Sequence, residues 1–257
     1  MNWSFCIVAG SGSEDKLNIL ISSIQREFIN TESFCDIVIV GNVKEDLLSD
    51  NIRVYKPKER FFRPDFSFKN MKQAIKMKRP QRLIFKYGPI SYKKNYAVKM
   101  AKFENVVVMH DYIVLEKGWL SGFLLHGGDW NVCMNVVKNK DGSRYRDWCT
   151  WDFPGVGPAL LPYDKYVKEM YISGTYFCVK KSFYLENPLD EKLFWGEGED
   201  VEWSIRVRDK TTFSMNPHST ISFSKLKPLD ESPYDDIWVS NTNMLKKILN
   251  EVSENGD

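Results

Sequence analysis

The sequence predicts an α/β domain with a central, mostly parallel sheet flanked by helices. An apolar strand over residues 3–9 is followed by an amphipathic helix over 14–29, which carries apolar residues on one face. Two more apolar strands follow at 36–40 and 52–55. This strand-helix-strand-strand order is typical of parallel sheets, and such sheets bind ligands at the carboxyl ends of their strands.

The composition supports one domain of ordinary globular character. The chain has 257 residues, of which 43% are hydrophobic, enough for a sizeable core. We expect an N-terminal ligand-binding half (1–112) and a C-terminal substrate-binding half (113–257). The net charge of +2 does not favour a nucleic-acid or membrane-surface protein. Five scattered cysteines, the lack of a signal-like leader and the lack of a long apolar run favour a soluble, cytoplasmic protein.

One basic and aromatic segment, residues 56–82, departs from this balance. Taken alone, its lysines, arginines and phenylalanines are compatible with a nucleic-acid patch. Because the whole chain is nearly neutral, we favour a solvated face or a mobile loop, and we expect no nucleic-acid partner.

The most informative stretch is WGEGEDVEWSIR at residues 195–206. Four carboxylates lie within six positions: Glu197, Glu199, Asp200 and Glu202. A helix is predicted from Glu199 onward, with Val201 and Ile205 four apart on one face. The acids either cap a surface helix or form a catalytic site. Tryptophans at both ends of the stretch favour a catalytic carboxylate in an aromatic pocket of sugar size.

A second stretch, residues 105–119, contains a buried strand that ends in His110, Asp111 and Tyr112. An acid at the end of an apolar strand either caps the next turn or binds a ligand, since an unpaired buried carboxylate is costly. Carboxylate and imidazole together suit Mn²⁺, whereas oxygen ligands alone favour Mg²⁺. Upstream, Lys93 and Lys94 lie near a predicted helix N-terminus, where they either meet phosphate or face solvent.

The later part of the chain contains an aromatic loop and two more strands. Residues 141–152 include Trp148 and Trp151, which suit either a sugar-facing surface or a packed hairpin. Strands are predicted at 171–180 and 219–224. The final helix is predicted to bury a face that includes Met244 and Leu245, among others.

The order of these stretches resembles the GT-A glycosyltransferases, in particular the set similar to glycosyltransferase family 2. That family has an apolar strand ending in D-x-D, then a phrase like IVLExGW, and later a WGxGEDxE segment. Here the corresponding residues are 110–112 (HDY), 113–119 (IVLEKGW) and 195–202 (WGEGEDVE). The resemblance spans roughly residues 3–225. It departs at the metal motif, where only Asp111 matches an acid.

The resemblance implies a GT-A (Rossmann-like nucleotide-diphospho-sugar transferase) fold and transfer of a hexose or pentose from a UDP- or GDP-sugar to a glycan, glycolipid or glycoprotein. Asp200 would be the general base of an inverting reaction, and Glu199 would hold the acceptor. A polysaccharide pathway would fit. The donor would lie against Ala9, Gly10, Ser11, Gly41, Asn42, Lys93, Lys94, Asn95, His110, Asp111 and Tyr112. The acceptor would meet Trp195, Gly196, Glu197, Trp148 and Trp151. Mn²⁺ or Mg²⁺ would be bound by Asp111, His110 and His218.

Two other hypotheses remain open from the sequence. A nucleotidyltransferase also combines a nucleotide-binding half with metal-binding acids, but it needs a second acid beside Asp111, where Tyr112 stands. A non-catalytic nucleotide- or carbohydrate-binding module is suggested by the altered D-x-D motif.

Overall fold

The structure, a computed structural model, describes residues 1–10, 12–43, 50–56, 66–76, 78, 80–83, 89–194, 196–226 and 235–254. Its strands are β1 (Trp3–Val8), β2 (Cys35–Val40), β3 (Ile52–Tyr55), β4 (Asn105–His110), β5 (Ile113–Leu115), β6 (Val132–Lys138), β7 (Cys149–Phe153), β8 (Gly157–Leu160), β9 (Met170–Tyr171), β10 (Tyr176–Lys180) and β11 (Phe213–Phe223). Its helices are α1 (Glu14–Phe28), α2 (Phe68–Lys76), α3 (Pro89–Met100), α4 (Trp119–His126), α5 (Lys181–Glu186), α6 (Glu199–Val207) and α7 (Asp235–Glu254), with a 3₁₀ helix at Pro80–Leu83.

The predicted α/β architecture is confirmed. Eight strands form one sheet in the order β3-β2-β1-β4-β10-β6-β11-β5, and β8-β7-β9 form a smaller sheet. The first four strands of the large sheet are parallel, as the sequence predicts. The second half is mixed, because β10 runs antiparallel to both β4 and β6, and β5 runs antiparallel to β11.

The register of the parallel half places two predicted site segments together. Val8 of β1 pairs with His110 of β4, so these strands end at the same level. Ala9 and Gly10 therefore lie beside Asp111 at the carboxyl edge of the sheet. This edge is where parallel sheets bind ligands.

Three predictions of local structure are wrong. Residues 171–180 are not one strand, because the chain leaves the small sheet after β9 and enters the large sheet at β10. The strand predicted at 219–224 begins earlier, at Phe213, and contains a bulge that the apolar pattern does not reveal. Met244, assigned to the buried face of the final helix, is 47% exposed, whereas Leu245 is buried.

Aromatic side chains close the opposite end of β1. Trp3 packs edge-on against Trp119 and Phe123, with ring centroids 4.8 and 4.7 Å apart, and stacks on Trp130 at 5.9 Å. Each such ring buries a large apolar area, so this cluster anchors β1 to α4.

In the described ranges, no helix combines the length and apolarity that crossing a membrane requires.

Candidate functional site

The carboxyl ends of β1 and β4 are joined by a backbone-to-carboxylate hydrogen bond. The Gly10 N–H donates to Asp111 Oδ2 across 2.9 Å, and Asp111 is almost fully buried. This bond supplies one of the partners that a buried carboxylate needs. Asp111 therefore helps to hold the loop after β1 as well as facing the edge of the sheet.

Lys93 of α3 adds a positive charge to this edge. Its Nζ donates to the Ala9 carbonyl oxygen at 3.3 Å. Burial lowers the pKa of Lys93, and the nearby negative charge of Asp111 opposes that shift. An ammonium group has three donors, so two remain for a ligand after the bond to Ala9.

The turn between β4 and β5 carries aromatic rings. The His110 ring stacks on the Tyr112 ring with centroids 5.4 Å apart. Lys225, just after β11, places its Nζ 4.3 Å from the centroid of the Tyr112 ring. Burial raises the pKa of the Tyr112 hydroxyl, so it stays protonated. Two lysines therefore contribute positive charge near this turn: Lys225 over the Tyr112 ring and Lys93 beside Ala9.

A short path of hydrogen bonds leads from this turn to the acidic stretch. The His110 N–H donates to the Thr175 carbonyl oxygen at 3.2 Å. The neighbouring Gly174 N–H donates to Asp200 Oδ2 at 2.7 Å. Asp111 and Asp200, far apart in sequence, are therefore connected through the segment between β9 and β10.

The acidic stretch has a closely packed charge cluster at the start of α6. Lys94 is 0% exposed and its Nζ donates to Glu199 Oε1 at 3.1 Å. Asp200 accepts from Gly174 N and from Val201 N, the latter at 3.0 Å. A Cβ added at Gly174 would lie 3.0 Å from both Lys94 Nζ and Asp200 Cβ, so a side chain there would crowd this approach.

Opposing effects set the proton affinity of Asp200. Burial, and then the charge of Glu199, raise the pKa of Asp200, while Lys94 and the two N–H donors lower it. Tyr171 and Cys149 also lie in its electrostatic environment, but burial raises the pKa of each, so both are neutral near pH 7. A carboxylate with a raised pKa is suited to accept a proton.

The two remaining acids of the stretch have structural partners. Glu197 Oε2 accepts from the Phe194 N–H at 3.0 Å, and Glu202 pairs with Arg206 one turn later at 2.7 Å. Gly196 is exposed at φ 76°, and Trp195 lies outside the described residues.

The three consecutive residues assigned to the donor point in different directions. Lys93 faces Ala9, and Lys94 is committed to Glu199. Asn95 donates to the Leu189 carbonyl and to Glu191, and its Oδ1 accepts from Tyr184 and Leu189 N. The placement of Lys94 and Asn95 against the donor is therefore not supported, because their polar atoms are already used within the protein.

The second glycine break has a packing role. A Cβ at Gly41 would lie 2.4 Å from the Ala9 carbonyl oxygen, too close for any side chain. Gly41 is buried and borders Ala9, while Asn42 is exposed beside it. Ser11 lies outside the described residues.

Most of the evidence from the aromatic loop over 141–152 indicates packing against the protein and not an open surface. Trp148 is 3% exposed, and its indole N–H donates to the Lys165 carbonyl at 2.7 Å. Asp147 is fully buried and binds Arg144 and Tyr163. The packed hairpin is therefore the correct interpretation for Trp148. Trp151, 37% exposed and edge-on to Tyr171, keeps an open surface.

The three predicted metal ligands are not brought together. Ile113 pairs with Phe223, and Leu115 pairs with Ile221. The end of β11 thus lies near Asp111, whereas His218, five residues before Phe223, lies farther from it along the strand. His218 instead lies near His126, where it contributes to a lowered pKa of His126 whose main cause is burial. Within the described part of the chain, no group of three His, Cys, Asp or Glu side chains is placed to hold a metal ion.

Three site residues were not assigned from the sequence: Gly174, Thr175 and Lys225. An isolated glycine in a predicted strand is a known sign of close approach by another group, so Gly174 could have been found. Lys225 was visible only as part of a basic tail. Thr175 contributes backbone to the contact with His110, which no side-chain pattern reveals.

Comparison with known proteins gives matches at the level of structure. No protein-family model matches the sequence, and no curated protein is similar to it in sequence. The structure is similar to that of GalNAc-T7 with UDP, GalNAc and Mn²⁺ (13% identity, 92% of this chain and 47% of that chain, TM-score 0.52). It is also similar to S. aureus TarS (15% identity, 90% of this chain and 38% of that chain, TM-score 0.50).

These matches show the GT-A glycosyltransferase fold. The chain spans about half or less of the length of these two proteins, 47% and 38%. Identities of 13% and 15% do not carry substrates or mechanism from them to this chain.

Proposed function

We propose that this chain is a glycosyltransferase that moves a sugar from a nucleotide-diphosphate sugar to a hydroxyl of a glycan, glycolipid or glycoprotein. The observation that carries the proposal is the partly buried Asp200 at the N-terminus of α6, held by Gly174 N and flanked by the Lys94–Glu199 pair. The GT-A fold, shared with GalNAc-T7 crystallised with UDP, GalNAc and Mn²⁺, supports it.

Asp200 has the properties that a general base requires. Each of its oxygens accepts one N–H, from Gly174 or Val201, so lone pairs remain for an acceptor hydroxyl. Its raised pKa makes proton transfer to it more favourable than to an ordinary carboxylate. Glu199 is held by Lys94, so it supports Asp200 and is less free to bind the acceptor.

The reaction proposed is a single displacement with inversion. The acceptor oxygen forms a bond to the anomeric carbon, and its proton passes to Asp200. The bond from that carbon to the diphosphate oxygen breaks, and its electron pair leaves with the nucleoside diphosphate. The donor diphosphate would lie at the edge formed by Ala9, Gly10 and Asp111, where Lys93 supplies a cation. Trp151 would face the acceptor.

The test compares two acid-to-amide variants in one helix. Asp200→Asn keeps an oxygen to accept the Gly174 N–H but cannot take a proton, so transfer should fall by about 10³-fold. Glu202→Gln, the matched control, removes a charge paired only with Arg206 in the surface turn and should keep its activity. Release of UDP or GDP is measured with a panel of nucleotide sugars and acceptors. Full activity of Asp200→Asn, or no release with any donor, would contradict the proposal.

A further inference from the structure

The sheet edge proposed to bind the donor has a lysine as its positive charge, and it lacks the set of ligands that a divalent metal ion needs among the described residues. Asp111 is its single buried acid among the described residues, and one carboxylate oxygen is already engaged by the Gly10 N–H at 2.9 Å. The neighbouring His110 ring lies flat against Tyr112, with an interplanar angle of 10°. Divalent cations of the Mg²⁺ and Mn²⁺ class take several oxygen or nitrogen ligands. The described residues do not assemble such a set.

The charge that faces Asp111 belongs to Lys93. The ammonium group is anchored by the Ala9 carbonyl at 3.3 Å, and Asp111 is the charged group that acts on it. A metal ion bound to Asp111 would be repelled by this positive charge, which already interacts electrostatically with Asp111. The repulsion is strong in a partly desolvated site, because screening by water is weak there. Lys93 therefore occupies the electrostatic role that a metal would have.

A second lysine borders the same turn, over the ring of Tyr112. Tyr112 O accepts hydrogen bonds from Ser224 N and Ser224 Oγ at 2.9 and 3.2 Å. These bonds tie the end of β11 to the turn, so the next residue, Lys225, lies over the Tyr112 ring. Lys225 is exposed, which leaves its ammonium group free to follow an incoming anion.

We propose that this chain binds the nucleoside diphosphate and transfers the sugar without a divalent metal, using Lys93 and Lys225 as the cations. The inference rests on the proposed function and deepens it. As the glycosidic bond to the diphosphate breaks, its electron pair moves to the leaving oxygen. The two remaining N–H donors of Lys93, together with Lys225, stabilise that developing charge. The Ala9 carbonyl holds Lys93 Nζ at this edge, and Asp111 adds a negative charge near it.

The first arm of the test measures nucleotide binding, which does not depend on finding the right donor. UDP and GDP are titrated into the purified chain by calorimetry, in excess EDTA and again with Mn²⁺. We expect one of them to bind equally well in both conditions. Lys93→Met should weaken that binding by roughly tenfold or more, since it removes a hydrogen bond to a charged group. Lys99→Met, an exposed lysine of the same helix, is the matched control and should bind normally.

The second arm measures turnover with nucleotide sugars under the same two conditions. We expect equal rates in EDTA and in Mn²⁺, with a roughly 10²-fold loss in Lys93→Met and a smaller loss in Lys225→Met. Binding or turnover that requires Mn²⁺ would overturn the inference but leave the glycosyltransferase proposal standing. Absence of turnover with every donor would count against the proposed function, and the binding arm would still decide the inference. If neither UDP nor GDP binds in either condition, the inference of metal-free binding is overturned.

Discussion

Lys93 and Lys94 are neighbours in α3, yet they serve two different carboxylate environments. Lys93 bonds a backbone carbonyl at the sheet edge and acts on Asp111, with donors left over. Lys94 is fully buried, bonds Glu199 and approaches Gly174 and Asp200. Successive helical residues point about 100° apart, so one helix supplies both sites. The first arrangement can accept a ligand, whereas the second holds protein groups in position.

The same difference predicts separate roles for the two ends of the candidate site. The proposed donor end contains the Lys93 ammonium group, bonded to the Ala9 carbonyl, beside a carboxylate that accepts from Gly10 N. The proposed base end contains the buried Lys94–Glu199 pair, so removing Lys94 leaves Glu199 without its buried partner. We therefore expect substitutions at Lys93 to act on ligands and substitutions at Lys94 to act on folding and on Asp200.

The largest effect on stability is expected for Lys94→Met. It leaves Glu199 without its buried partner, which should lower the free energy of unfolding by roughly 3 kcal/mol. Urea denaturation monitored by circular dichroism would measure it. Adding Glu199→Leu should restore part of the loss, because both charges are then removed. Equal stability of the wild type and Lys94→Met would show that the pair is not a structural element.

The second prediction concerns the closeness of Gly174 to the charge cluster. Gly174→Ala places a Cβ 3.0 Å from Lys94 Nζ and 3.1 Å from Asp200 Oδ2, so these groups must shift by a few tenths of an ångström. The base would be displaced, and turnover should fall by about 10–100-fold with little change in nucleotide affinity. Gly128→Ala, where the nearest atoms are side-chain ends at 3.6 and 3.8 Å, is the control. Normal turnover of Gly174→Ala would argue against the tight placement of Asp200.

The pH dependence of transfer should distinguish the role of Lys94 from that of Lys93. The base must be ionised, and burial raises the pKa of Asp200 while the Lys94 charge lowers it. The acid limb of the kcat/KM profile should therefore lie above the ordinary carboxyl range. Removing Lys94 should move that limb to higher pH, and removing Lys93 should leave it in place. A limb that moves to lower pH in Lys94→Met would contradict the assigned cause.

The smallest effect on stability is expected for Lys93→Met. Lys93 is partly buried and, among the described residues, its Nζ bonds the Ala9 carbonyl, while Asp111 keeps its bond to Gly10 N. The free energy of unfolding should change by less than about 1 kcal/mol. A loss as large as that of Lys94→Met would remove the distinction between the two sites.

Much of the fold could be predicted from the sequence, because the apolar strands and the helix at 14–29 have clear periodicity. The candidate site remains a prediction, and the sequence singled out only part of the contacts that the structure shows there. The acidic stretch and Asp111 were identified, yet Lys94 and Asn95 were grouped with Lys93 because all three share one basic, polar run. Only packing decides which of them faces a ligand. Trp148 shows the same limit, since an indole suits a sugar face and a buried hairpin equally well.

The most direct test of this account is a crystal structure with UDP or GDP, whichever binds, and Mn²⁺ both supplied. We expect the diphosphate oxygens to lie within hydrogen-bonding distance of Lys93 Nζ, while Lys94 stays on Glu199. We also expect the anomalous difference map to contain no peak between Asp111 and the diphosphate. A manganese peak at that position, or a diphosphate bound away from Lys93, would contradict the account.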